Sequence, residues 1–328
     1  MKRPVAVIPV AGVGTRLRPH THTVPKALIN VAGKAMVAHI LDALRAAGVE
    51  EFVLVVGYKG TRVRKYIADH YSGLSVQFVE QPEAKGLGHA VHLTRDAVAG
   101  RPAVIVLGDT LFRVDFKPVL RRTVSQIGVK AVADPRRFGV VEMKGDTVVR
   151  FVEKPEHPPS NLAIVGIYYM VDTAALYDAL EALVRDGRTH KGEYQLTDAL
   201  QDMLEAGVPM ETFPVDAWYD CGNRETLLET NRELLDGQGG APAIPGSVIV
   251  PPVAIDPTAV VTNSIIGPHA TVAAGARVED SVIRNSIVSE GARVSRMLLD
   301  ASLVGEGAVV EGAYRRLNIG DSSELDIS

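Results

Sequence analysis

Cysteine is nearly absent from this sequence: Cys221 stands alone among 328 residues. One thiol cannot close an internal disulfide or build a multi-cysteine zinc site, and the scarcity fits a reducing, cytoplasmic setting. Long apolar runs are missing too. No segment approaches the roughly 18 residues of a membrane span, and Val5 to Val10 is too short and wrongly flanked for a signal peptide, so a soluble protein is expected. Neither sign of charge dominates. With 35 Lys and Arg against 39 Asp and Glu the net charge is -4, which suggests neither disorder nor nucleic acid as a partner. Two familiar phosphate motifs are incomplete as well. After Gly12 and Gly14 the dinucleotide fingerprint needs a third glycine where Leu17 stands, and the P-loop pattern Gly-x-x-x-x-Gly-Lys-Ser/Thr is absent there.

What is present is enough apolar material, 46% of residues, for one large core and a smaller one. Short β-branched runs at Val5 to Val10, Phe52 to Val56, Val76 to Val79 and Ala103 to Leu107 alternate with helical patterns after Lys34, over Thr61 to His70 and from Leu87 to Val98. That alternation predicts a doubly wound, Rossmann-like α/β sheet. Gly139 to Glu142 and Val148 to Val152, joined by Lys144-Gly145-Asp146, read as an antiparallel pair and make the sheet mixed. A strand over Ala163 to Val171 and helices around Ala174 to Val184 and Leu196 to Ala206 follow. The expected organisation is a catalytic domain over 1–235, a Gly/Pro/Ala linker over 236–245, a left-handed parallel β-helix over 246–315 and a tail over 316–328. The β-helix rests on six-residue spacing of Ala254, Val260, Ile266, Val272 and Val278, with small residues Thr258, Ser264, Ala270 and Ala276 between them. The frame breaks near Arg284 and resumes at Val288 and Val294, then at Val304 and Val310.

The first strand runs into Pro9-Val10-Ala11-Gly12-Val13-Gly14-Thr15-Arg16, then a Pro/Thr-rich, non-helical loop to Lys26. Glycines at a strand end let backbone amides approach phosphate oxygens, and Arg16 and Lys26 add complementary charge. In open parallel sheets ligands sit beyond the carboxyl ends of strands, so Gly12, Gln81 and Asp109 should converge on one crevice. An aspartate there suits magnesium, which takes few carboxylates plus substrate phosphates, and Asp220 is the candidate partner. Read alone, Asp109 is equally a turn or helix-cap residue.

Together these segments resemble the sugar-1-phosphate nucleotidyltransferases, whose signature is Gly-x-Gly-Thr-Arg with Pro-Lys about ten residues on, here Gly12 to Arg16 and Pro25-Lys26. Further matches are Gln81 with Lys85 to Val91, Leu107-Gly108-Asp109, Phe138 to Val141, Glu153-Lys154-Pro155, Gly166-Ile167-Tyr168, Gly192 to Ala199 and Asp220-Cys221-Gly222. The resemblance spans about residues 4 to 235. It implies that Ala11, Gly12, Gly14, Thr15 and Arg16 cradle a triphosphate, with Arg16, Lys26 and Asp109 as catalytic residues. It further implies that Gln81 and Gly86 contact the base and that Asp109 and Asp220 bind magnesium. Gly139, Glu153, Lys154, Gly166 and Tyr168 would hold the sugar phosphate. A carboxylate such as Glu153 can accept hydrogen bonds from adjacent sugar hydroxyls.

The implied reaction joins a nucleoside triphosphate to a sugar 1-phosphate and releases pyrophosphate. The amide of Gln81 can match the edge of uracil or thymine, which favours a pyrimidine. UTP and glucose 1-phosphate rank first, with dTTP close behind because the β-helix is similar to the tails of long thymidylyltransferases. A β-helix acyltransferase would have only His269 in the tail to use. A silent assembly subunit would be expected to lack Arg16, Lys26, Asp109 or Asp220, and all four are present. Apolar tail residues Leu298, Leu299 and Val304 suggest a homo-oligomer.

Overall fold

A computed structural model describes residues 2–145, 147–237, 240 and 242–314. The expected tail over 316–328, the turn residue Asp146 and parts of the expected linker lie outside the described residues. The chain divides into two compact units, Met1–Thr230 and the part from Asn231 onward. The division falls inside a helix, Arg224–Asp236, so the first residue of the expected linker is helical.

The first unit is built on a nine-stranded mixed sheet. Its strands are β1 Val5–Pro9, β2 Glu51–Val56, β3 Ser75–Glu80, β4 Ala103–Val106, β5 Ser125–Ala131, β6 Gly139–Lys144, β7 Thr147–Glu153, β8 Leu162–Met170 and β9 Met210–Pro214. The main path runs β7-β6-β8-β4-β1-β2-β3, with β5 pairing β8 and β9. β1, β2, β3 and β4 are mutually parallel, and β8 runs antiparallel to β4, β5 and β6. β1, β2 and β4 are nearly continuous apolar runs because helices cover the sheet, and Ala6, Val7, Ile8, Val55 and Ile105 are fully buried, whereas the edge strand β3 interleaves Ser75, Gln77 and Glu80 with its apolar residues. The helix Met36–Ala46 buries Met36, Val37, Ile40, Leu41 and Leu44, the face its spacing predicts.

One expected helix is two. Leu87–His92 and Arg95–Val98 are separated at Thr94, whose hydroxyl donates to the Val91 carbonyl at 2.7 Å and meets the Tyr177 hydroxyl at 2.7 Å. A side chain that bonds the backbone locally competes with helix continuation. The signature loop also differs from expectation. It holds three 3-10 turns, Thr15–Leu17, His20–His22 and Lys26–Leu28, and Pro19 and Pro25 immediately precede the second and third. Proline's fixed φ suits the start of such a turn.

The second unit contains three four-stranded parallel sheets that together form a β-helix. Its rungs are shorter than three six-residue steps. Val253 pairs with Ala270 and Val260 with Arg277, seventeen residues on, whereas Thr271 pairs with Ile287 and Arg293 with Val309, sixteen on. The shortening explains the broken frame and corrects its start. Val253 and Val261 are buried, while Ala254 is half-buried and Val260 exposed. From Ile266 through Val272, Val278, Ile283, Val288 and Val294 the interior is continuous. Ser264, Ala270 and Ala276 are buried as expected of small inward residues, but Thr258 is exposed. Of the apolar trio offered for self-association, Leu298 is 81% exposed, Leu299 packs against the interior and Val304 is buried.

Candidate active site

The order β3-β2-β1-β4 places chain segments leaving β1 toward one side and β4 on the other, which opens a crevice beyond their carboxyl ends. A cavity of about 1200 Å³ lies there. It is lined by Ala11, Gly12, Arg16, Lys26, Gln81, Gly86, Asp109, Gly139, Glu153, Lys154, Gly166, Tyr168 and Asp220. Gly14 and Thr15, expected against the triphosphate, do not line it. Gly14 instead adopts φ +67° and lets the loop close on itself: a Cβ there would meet Lys26 Cβ and Thr21 Cγ2 at 3.0 Å. Thr21 Oγ1 donates to the Gly14 carbonyl at 2.8 Å. From outside the loop, Lys59 donates to the Thr21 and His22 carbonyls and Arg62 donates to that of Thr23 at 2.6 Å.

Lys26 is buried, and its Nζ lies 2.7 Å from Asp109 Oδ2. Asp109 ends the turn after β4, where Gly108 is essential because a Cβ would reach Val10 Cγ1 at 2.5 Å and the Pro9 carbonyl at 2.7 Å. Thr110–Arg113 then pairs antiparallel with Ala217–Asp220, and the register sets Asp220 opposite Thr110. That pairing sets Asp220 across from the residue after Asp109, and both aspartates line the cavity. Arg16 also reaches this corner: a Cβ on Gly222 would stand 2.9 Å from both Arg16 Nη2 and Asp220 Oδ1. Among the described residues no group of three or more His, Cys, Asp or Glu side chains could hold a metal. Two adjacent carboxylates in a cavity fit magnesium, which completes its shell with phosphate and water. Cys221, buried behind them, has its thiol pushed up to about 12 by desolvation, so it is not a nucleophile.

Gln81 follows β3 and is buried, with its Nε2 3.1 Å from both the Gly86 carbonyl and His89 Nδ1. Gly86 has φ +94° and sits against the facing segment, where a Cβ would meet the Tyr194 carbonyl at 2.7 Å. Gly88 N donates to the Tyr194 carbonyl and Tyr194 N to that of Lys85, both at 2.8 Å, so the loop is held on two sides.

Also lining the cavity, Glu153 has Oε1 meeting Lys154 Nζ at 2.6 Å, and its Oε2 accepts from Thr197 Oγ1 at 2.8 Å. Gly139 admits this arrangement, since a Cβ there would lie 3.1 Å from Glu153 Oε2 and Thr197 Oγ1. Tyr168 is buried at the cavity lining, and burial, with the Glu153 charge adding to it, raises its hydroxyl so that it stays protonated. Burial and then the same glutamate raise Asp198 above the usual carboxylate range. Gly166, at φ +80°, makes room for Leu107, whose Cδ1 would be 2.5 Å from a Cβ. The sequence reading missed several wall residues: Arg137, Lys191, Thr197 and Trp218 also line the cavity. Trp218 stands edge-on to Phe138 at 4.7 Å. Their signal was available, because each lies in or beside a segment that carries the resemblance.

A family model described as nucleotidyl transferase matches residues 5–237. The chain belongs to that family. A glucose-1-phosphate thymidylyltransferase from Streptomyces antibioticus is 34% identical over 292 residues, covering 85% of this chain and 80% of the relative. A UTP-glucose-1-phosphate uridylyltransferase, AglF of Haloferax volcanii, is 32% identical over 238 residues, covering 70% of this chain and 96% of the relative. Among solved structures, a UDP-glucose pyrophosphorylase complexed with UDP-glucose superposes with a TM-score of 0.64 at 24% identity, over 72% of this chain and all of the other, which supports the fold. The family expected from the signature is thus the family found. Among the described residues no helix is long and apolar enough to cross a membrane.

Proposed function

We propose that this nucleotidyl transferase joins a pyrimidine nucleoside triphosphate to a sugar 1-phosphate, with UTP and glucose 1-phosphate as the leading pair. The observation that carries the reading is that one cavity is lined both by Arg16, Lys26, Asp109 and Asp220 and by Glu153 and Lys154. A phosphate oxygen of the sugar 1-phosphate attacks the α-phosphorus in line, the bond to the β-phosphate oxygen breaks and pyrophosphate leaves. No covalent intermediate on the protein is needed. The protein contributes positioning and charge stabilisation. Arg16 and Lys26 offset charge growing on the transferring and leaving groups, and the amide of Gly12 approaches the triphosphate. A magnesium ion held by Asp109 and Asp220 would supply Lewis-acid neutralisation of the phosphates. Glu153 accepts from sugar hydroxyls, and Lys154 and Lys191 face the sugar phosphate.

The orientation of Gln81 supports a pyrimidine with an imide. The Gly86 carbonyl can only accept, so Nε2 must face it, and Oε1 remains an acceptor for the N–H of uracil or thymine. A second reading takes dTTP as the nucleotide. It is favoured by the longer matches to the two Streptomyces thymidylyltransferases, over 292 and 312 residues, where the AglF match covers 238. Pyrophosphate release from UTP, dTTP, GTP, ATP and CTP with glucose 1-phosphate decides between them. Release with none of these defeats the proposal for that sugar.

A further inference from the structure

The amide of Gln81 is not the last group in its chain of hydrogen bonds. One hydrogen on Nε2 meets the Gly86 carbonyl, and the other points at His89 Nδ1, each at 3.1 Å. Because Nε2 can only donate, Nδ1 must present a lone pair, and the ring proton of neutral His89 sits on Nε2. His89 lies in the helix Leu87–His92, half-buried behind Gln81, and it is not among the cavity-lining residues. We propose that His89 is a positioning residue for base recognition: its unprotonated Nδ1 fixes the Gln81 amide with Oε1 toward the cavity. The chain then selects a pyrimidine carrying an imide N–H. The inference rests on the pyrimidine reading above.

The alternative orientation shows what the histidine adds. With the amide turned over, Oε1 would oppose the Gly86 carbonyl, acceptor against acceptor, and the NH2 group would face the cavity. That face matches N3 of cytosine, which is an acceptor. Protonated His89 carries an N–H at Nδ1, so two donors confront each other unless the amide turns. Either response weakens recognition of uracil or thymine.

The groups around His89 set when this happens. Lys85 and Glu83 come from the preceding loop and pair with each other at 2.8 Å, His92 lies one turn on, and Tyr194 packs its ring 6.2 Å away beside Glu193. Burial first, then Lys85 and His92, hold the imidazole below its usual value, while Glu83 acts the other way. The ring is therefore neutral at neutral pH, and the arrangement fails on acidification.

The test measures KM and kcat for UTP and CTP between about pH 8 and pH 5.5 in the wild type, His89→Asn and His89→Leu. Asparagine places a non-titrating acceptor where Nδ1 stands, and leucine removes it. At the upper pH, His89→Leu should lose roughly tenfold in its KM preference for UTP over CTP with kcat for UTP retained, the consequence of one lost orienting bond, while His89→Asn keeps the preference. As the pH falls below the ordinary imidazole range the wild-type KM for UTP should rise relative to that of His89→Asn. Superimposable profiles for wild type and His89→Asn overturn the proposal, as does unchanged discrimination in His89→Leu. The 15N shifts of the wild-type ring give a folding-independent check, since an Nδ1–H tautomer at neutral pH also overturns it. A wild type with no preference for UTP or dTTP over CTP removes the reading of a base with an imide N–H, and this proposal with it. A preference that persists while the variants are indifferent removes only the proposal.

Discussion

Gly12→Ala separates what the first loop does for folding from what it does for phosphate. Gly12 lies outside the left-handed region, and a Cβ built on it finds nothing within 4 Å. Adding a methyl group is therefore neutral to folding or stabilises it by about 0.4–1 kcal/mol through the unfolded chain. The same methyl group stands in open space at the wall of the cavity. If the Gly12 amide meets a phosphate oxygen, the methyl blocks that approach and removes a hydrogen bond to a charged group, a loss of about 1.5–3 kcal/mol. That corresponds to roughly a 10- to 150-fold fall in kcat/KM. Gly166→Ala is the opposite control, since φ +80° and a 2.5 Å contact with Leu107 impose strain and overlap costing about 2–5 kcal/mol. Thermal denaturation and coupled pyrophosphate release with UTP and glucose 1-phosphate should find the first variant stable and slow, the second destabilised. A Gly12→Ala protein within twofold of wild-type kcat/KM refutes the phosphate role of this loop.

Arg16→Ala should lower kcat by about a hundredfold or more with the thermal midpoint nearly unchanged, and Lys26→Ala should lower it as much with a lowered midpoint, since it removes a buried cation paired with Asp109. Unchanged turnover in either removes its charge-stabilising role. Asp220→Asn should weaken binding of manganese, as a magnesium stand-in, by about tenfold or more in a titration followed by calorimetry. Equal affinity in variant and wild type would show that the aspartate pair is not the metal site. Glu153→Gln should raise KM for glucose 1-phosphate by roughly tenfold while that for the nucleotide stays put, because the proposed function sets this carboxylate, held by Lys154 and Thr197, against the sugar and not the nucleotide. A parallel rise in both constants would place Glu153 in general cavity architecture instead.

Much of the parallel half was legible because its signals are local. β1, β2, β3 and β4 are short β-branched runs, and the glycine-rich segment follows the first of them directly. The convergence of Gly12, Gln81 and Asp109 follows from sheet topology alone. The antiparallel half was less legible, and β5, β9 and the pairing of Thr110–Arg113 with Ala217–Asp220 went unread. Those pairings join residues about a hundred positions apart, and no periodicity records a register of that span. Asp220 was therefore found by its motif, while its approach to Asp109 needed coordinates. The close contacts of Gly86, Gly108 and Gly222 are likewise invisible to pattern, because each depends on a distant neighbour. In the tail the six-residue rule found the architecture but misplaced its first two interior positions, since the step from Val261 to Ile266 is five residues and counting back from Ile266 by sixes lands on Val260 and then Ala254.

The shortened rungs of the β-helix make length a discrete variable for the tail. Stacked parallel pairing at offsets of sixteen or seventeen residues means that removing or duplicating one whole turn leaves every remaining residue facing as before. A single inserted residue inside a strand has the opposite effect, because alternation would turn Val278 or Val294 toward solvent and a polar neighbour inward. Viable length variants of this tail should therefore fall on a ladder of complete turns, with the intermediate lengths depleted.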